Sequence, residues 1–97
     1  MEEKIRAHAI ISGRVQGVFF RMETMRAAQR FGVFGWVRNM RDGTVEAVFE
    51  GQKSQVDAIL KWCRQGPANA QVTDVKTQTE TYSGDGEFDG FKIDFTR

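Results

Sequence analysis

Apolar residues along this chain repeat in two different periods, and the switches between them mark out the elements. Over residues 6–12 the period is two. Ala7, Ala9 and Ile11 share one face, and Ile10 lies on the other with His8 and Ser12, which predicts a strand with one buried side. Over residues 22–31 the period lengthens. Met22, Met25, Ala28 and Phe31 fall on one side of a helix, and Gly32 suits the position just past its C-terminus. Residues 34–40 and 44–50 return to alternation around Arg41-Asp42-Gly43, a hairpin signal. In the second of these strands Val45, Ala47 and Phe49 alternate with Thr44, Glu46 and Glu50. Residues 53–65 form the stronger helical pattern, with Val56, Ile59, Leu60 and Cys63 at i, i+3, i+4 and i+7, and Gly66-Pro67 closes it. Residues 72–82 read as an extended, Thr-rich strand. Residues 91–95 end the pattern with Phe91, Ile93 and Phe95 on one face.

The order is β-α-β-β-α-β with a short final strand, the split-βαβ arrangement of an α+β, ferredoxin-like sandwich. Two helices on one face of an antiparallel sheet would bury the alternating rows, leaving the other face to solvent. Strand order within the sheet is not readable from the pattern.

Between the first strand and the first helix lies Gly13-Arg14-Val15-Gln16-Gly17-Val18-Phe19-Phe20-Arg21. Its glycines let the backbone curl. Curled N–H groups and a helix N-terminus make an anion-binding concavity. Arg21 adds a planar donor fork suited to phosphoryl or carboxylate oxygens. The segment is neither GxxxxGK[ST] nor GxGxxG. It reads either as an anion cradle or as a tight strand-to-helix turn beside a surface Arg.

Composition narrows the chemistry. Ninety-seven residues, 40% hydrophobic and 28% charged, suit one domain spanning 1–97. A net charge of +1 and a pI near 7.9 provide no field for nucleic acid or an anionic membrane. Residues 1–50 hold 8 Lys/Arg against 6 Asp/Glu, and residues 51–97 hold 6 against 7, a mild lean of positive charge toward the first half that is consistent with a small anionic ligand but is not evidence for one. No signal-peptide pattern and no bilayer-length apolar run is present, so a cytoplasmic location is expected. His8 and Cys63 are the sole His and Cys, which argues against zinc, against a disulfide and against a Ser-His-Asp triad. Cys63 sits on the apolar helix stripe and His8 reads as structural. Asp85, Glu87 and Asp89 lack EF-hand spacing, and residues 83–87 read as a solvated polar loop. Arg14 and Arg38 read as solvated charges. Phe34 and Trp36, on the strand face opposite Asn39, form an aromatic platform or pack under the last loop.

Gly35-Trp36-Val37-Arg38-Asn39, followed by Asp42-Gly43 and Thr44-Val45, is the second informative segment. Together with the Gly13–Arg21 segment and the closing Phe91-Lys92-Ile93, it resembles the acylphosphatase family over essentially the whole chain. Members of that family carry Gly-x-Val-Gln-Gly-Val-x-Phe-Arg and Gly-Trp-Val-x-Asn. The resemblance implies a ferredoxin-like topology and metal-free hydrolysis of the carboxyl–phosphate bond without a cofactor. It implies that Arg21 binds the phosphoryl group and that Asn39 orients the attacking water. Gln16, Gly17, Val18, Phe19 and Phe20 would contribute backbone N–H groups, with the side chains of Val15, Val18 and Phe20 packing. The implied partners are an acyl phosphate and inorganic phosphate, with no nucleic acid and no membrane, and a monomer is favoured. No pocket for the acyl half is readable.

Two rivals remain. An RNA-recognition domain shares the element order, yet its aromatic motif is missing from residues 44–50, where Thr44, Glu46 and Glu50 face outward. A domain handling carbamoyl phosphate within a larger maturation protein is the other, and a free-standing enzyme is preferred.

Overall fold

The computed structural model describes residues 2–97. The chain runs β1 (Lys4–Arg14), α1 (Phe20–Phe31), β2 (Phe34–Asn39), β3 (Val45–Gln52), α2 (Lys53–Gln65), β4 (Gln71–Tyr82) and β5 (Phe91–Ile93). The strands make one sheet in the order β4-β1-β3-β2-β5. Four of them pair antiparallel, as the pattern predicts. The fifth does not: β5 runs parallel to β2, so the expected antiparallel sheet is mixed at one edge. The registers explain this. Tyr82 pairs with Lys4, Lys4 with Gln52, and Phe34 with Glu50, so β4 ends where β2 begins. A chain that crosses there and adds to β2 must run in β2's direction. Beyond Ile93 it keeps following β2, with Asp94 N–H donating to Val37 O at 2.8 Å and Arg97 N–H to Asn39 O at 3.0 Å.

Both helices cover one face, α1 over β2 and β5, and α2 over β1, β3 and β4. The alternating rows fill the core. Ile5, Ala7, Ala9 and Ile11 of β1, Val37 of β2, and Val45, Ala47 and Phe49 of β3 are buried there. Phe91 stacks on Phe49 with ring centroids 5.7 Å apart. On α2, Val56, Ile59 and Cys63 are buried while Leu60 packs at the core's edge. Burial pushes the Cys63 thiol up to about 12, so it is a neutral, inert group.

The helical stripe of α1 is rotated from the one expected. Its buried residues are Phe20, Thr24, Ala27 and Ala28, and Met22 is 41% exposed. The helix begins at Phe20 rather than at 22. The Phe20 ring is buried 5.8 Å from Trp62, and this large anchor fixes the rotation. Thr24 satisfies its buried hydroxyl by donating to Phe20 O.

The outer face also differs from expectation, because it is not all solvated. Glu50, on an outward position of β3, is 0% exposed. Its Oε1 accepts N–H groups from Glu87 and Phe88, and its Oε2 accepts from Arg6 at 2.9 Å. The acidic segment 83–90 is therefore tied down over the sheet. Gly86 presses against the Glu50 carboxylate so closely that no Cβ would fit.

Candidate active site

The site lies at the opposite end of the sheet from Glu50, where β1 runs out and α1 begins. Gly13 (φ 119°) and Gly17 (φ 74°) occupy backbone conformations that glycine adopts at least cost. Phe19 adopts φ 61°, the only such non-glycine among the described residues. An aromatic residue in this region is strained, and such strain clusters at functional sites. Phe19 stands at the N-cap of α1 and offers no side-chain cap. The first-turn amides that follow have no intrahelical acceptors and carry the positive end of the helix dipole.

A cleft of about 330 Å³ opens at this turn, lined by Val15, Gln16, Gly17, Phe19, Phe20 and Arg21, with Met22, Asn39 and Ile93. Among the described residues Arg21 is the one ionisable residue on its wall. Of the candidate site residues, Gln16, Gly17, Phe19, Phe20, Arg21 and Asn39 are brought together. Val18 is not on this wall, and its side chain is buried like those of Val15 and Phe20. Asn39 ends β2 on the same face as buried Val37. Its Oδ1 is buried with no hydrogen-bond partner, alone in this among the described residues. Buried acceptors are normally paired, so this one marks an unmet need at the cleft wall.

The Gln16 side chain has a role the sequence did not show. Its Nε2 donates to Met40 O at 2.8 Å and Thr44 O at 2.9 Å. One amide thus ties the glycine loop to the hairpin that carries Asn39. From the other side, Arg41 N–H donates to Arg97 O at 2.6 Å. The hairpin is held on two flanks, which fixes where Asn39 sits relative to Arg21.

Other candidates fall away from the cleft. Arg38 is on the outer face, as alternation demands. It pairs with Glu46 and stacks over Trp36 at 4.6 Å, so it is not the solvated charge expected. His8 Nε2 meets Glu46 Oε2 at 2.7 Å. Burial pushes the Glu46 carboxyl up, but hydrogen bonds from His8 and Arg38 outweigh it and hold the group below its ordinary 4.5. Among the described residues no three His, Cys, Asp or Glu side chains gather as a metal site requires, and no helix is long and apolar enough to cross a membrane.

A family model described as Acylphosphatase matches residues 7–93. The chain belongs to the acylphosphatase family. It is 51% identical over 92 residues to an acylphosphatase of Pelotomaculum thermopropionicum, covering 95% of this chain and 98% of that one. It is 54% identical over 88 residues to an acylphosphatase of Syntrophus aciditrophicus, covering 91% and 90%. The crystal structure of the Bacillus subtilis acylphosphatase superposes with a TM-score of 0.85 at 31% identity, covering 92% of this chain and 97% of that one. These family members are matched nearly end to end, and the β4-β1-β3-β2 order is that of the ferredoxin-like fold.

Proposed function

We propose that the chain hydrolyses acyl phosphates to a carboxylate and inorganic phosphate, with Arg21 and the 13–21 loop holding the phosphoryl group and Asn39 orienting the water. The observation that carries the reading is the shared cleft. Arg21 is its sole ionisable wall residue, and an unpaired Asn39 amide oxygen lies at its edge. Such a site has no strong base or nucleophile, and an acyl phosphate does not need one, because its leaving group is a weakly basic carboxylate. Phosphoryl transfer then depends on positioning and on charge stabilisation.

In the proposed step the water oxygen bonds to phosphorus as the phosphorus–oxygen bond to the acyl group breaks. That electron pair departs with the carboxylate. One water proton passes to a phosphoryl oxygen, so the second product is dihydrogen phosphate. The Arg21 fork and the amides of residues 16–20 take the charge on the phosphoryl oxygens. The Asn39 amide both accepts from and donates to the attacking water.

Benzoyl phosphate hydrolysis tests this. Turnover is expected, unaffected by EDTA and inhibited competitively by inorganic phosphate. Arg21→Lys is expected to lose about 10²–10³ in kcat/KM, because an ammonium lacks the planar fork. An Arg21→Lys variant of near-normal activity would reduce Arg21 to a general positive charge.

A further inference from the structure

Among the described residues five large apolar side chains are exposed: Phe19, Met22, Phe34, Ile93 and Phe95. Three of them, Phe19 at 70%, Met22 at 41% and Ile93 at 40%, line the cleft that holds Arg21 and Asn39. They come from separate parts of the chain. Phe19 and Met22 stand one helical turn apart at the start of α1, and Ile93 arrives on β5, whose parallel pairing sets it beside Val37. None contributes a fully buried side chain to the core. Phe19 also keeps a strained backbone while presenting its ring to water, so neither packing nor backbone comfort accounts for it.

We infer that Phe19, Met22 and Ile93 form the acyl subsite and select acyl phosphates with an aromatic or bulky apolar acyl group. The inference rests on the acyl-phosphate reading above and adds the part of the substrate that reading leaves open. A ligand cleft is typically apolar with a few convergent polar groups that fix orientation. Here the polar end is Arg21, Asn39 and the loop, and the remaining exposed wall is hydrocarbon and thioether. When the phosphoryl group occupies Arg21, no second cation lines the cleft. An acyl group with its own carboxylate finds no partner there, and acetyl is too short to cover the three side chains. An aryl ring covers them and removes their apolar surface from water. Met22 supplies a flexible, polarisable wall that adapts to ring shape.

The test compares kcat/KM for benzoyl, acetyl and succinyl phosphate, whose leaving groups are all weakly basic carboxylates. The wild type is expected to favour benzoyl phosphate over the other two by about tenfold or more, mainly through KM. Phe19→Asn removes the ring while suiting the left-handed backbone. Met22→Gln and Ile93→Thr remove apolar surface with little change of shape. Each variant is expected to cut the benzoyl-to-acetyl ratio severalfold while inorganic phosphate still inhibits. Equal use of benzoyl and acetyl phosphate by the wild type would overturn the subsite, as would variants that lose both substrates in the same proportion. Failure to hydrolyse any of the three would instead overturn the acyl-phosphate reading itself.

Discussion

The two ends of β3 treat a polar group in opposite ways. At one end, Glu50 is wholly buried, and the chain supplies its partners: the Arg6 guanidinium and the N–H groups of Glu87 and Phe88. At the other end, Val45 pairs with Asn39, whose buried Oδ1 has no partner. A satisfied buried carboxylate holds structure together, and in the reading proposed above the unpaired amide beside the cleft is the group that meets the attacking water. Burial and charge alone do not separate the two ends in this way, since Glu50 is both buried and charged yet fully partnered. Hydrogen-bond satisfaction tells them apart.

The largest effect is expected where the comparison is broken at the satisfied end. Glu50→Ala strips the charge partner from Arg6 and leaves two N–H groups without their acceptor. Removing one member of a buried pair costs about 3–5 kcal/mol, and Arg6 retains Glu80 at 2.8 Å, so the lower part of that range is expected. Denaturant titration measures the loss, and kcat per folded molecule should hold. A fall in kcat without a fall in stability would show that the two ends are coupled.

At the unsatisfied end the effects should reverse. Asn39→Ala is expected to lower kcat by roughly 10²-fold, comparable to one well-placed catalytic hydrogen bond, while thermal stability and phosphate inhibition change little. Removing an unpaired amide oxygen even relieves a desolvation cost. Asn39→Asp keeps the size and an acceptor but loses the N–H donors, so it should not restore the rate. If Asn39→Ala instead melts early at a normal rate, the amide is a hairpin device.

Gln16 sharpens the comparison, because it is a satisfied side chain at the unsatisfied end. Gln16→Ala releases the loop from Met40 O and Thr44 O, and a fall of roughly tenfold in kcat/KM is expected from misplacement. Phosphate inhibition should weaken with it, unlike in Asn39→Ala. A drop in stability with unaltered kinetics would make the tether purely structural.

The smallest effect concerns acid. Because Glu46 is held below 4.5 in the fold, its contribution is present above about pH 4.5 and is lost as pH falls through its lower folded value. Glu46→Gln should therefore flatten the acid limb of a stability–pH curve. An unchanged limb would assign acid sensitivity to other carboxylates.

Strand and helix positions were legible because alternation and helical stripes are local. Helix 53–65 was readable to the residue, and so were the inward rows of β1 and β3 and the capping role of Gly32. The glycine loop and Asn39 stood out in the sequence as candidate chemistry because few other residues could do it, and the structure brings most of them to one cleft. The stripe of α1 was misread because the periodicity was started at Met22, and the buried anchor Phe20 belongs to the preceding motif. Glu50 was read as solvated because a local pattern records which way a side chain points, not what covers it. The polar segment 83–90 does stay largely exposed, and only its backbone N–H groups reach down to Glu50.

By itself, then, the sequence determined the element order, the inward rows of β1 and β3, the stripe of α2 and the two motifs, because these follow from backbone period, glycine's conformational range and side-chain chemistry. The expected row 91–95 failed beyond Phe91, since Ile93 and Phe95 stay exposed. Tertiary structure alone decided which strand edges meet, that β5 runs with β2, and that segment 83–90 seals Glu50. It alone decided that Gln16 spans to the hairpin and that Phe19, Met22 and Ile93 share a cleft. The physical reason is range. Each of these depends on contacts between residues tens of positions apart, and a distant residue leaves no periodic trace in the segment it will touch.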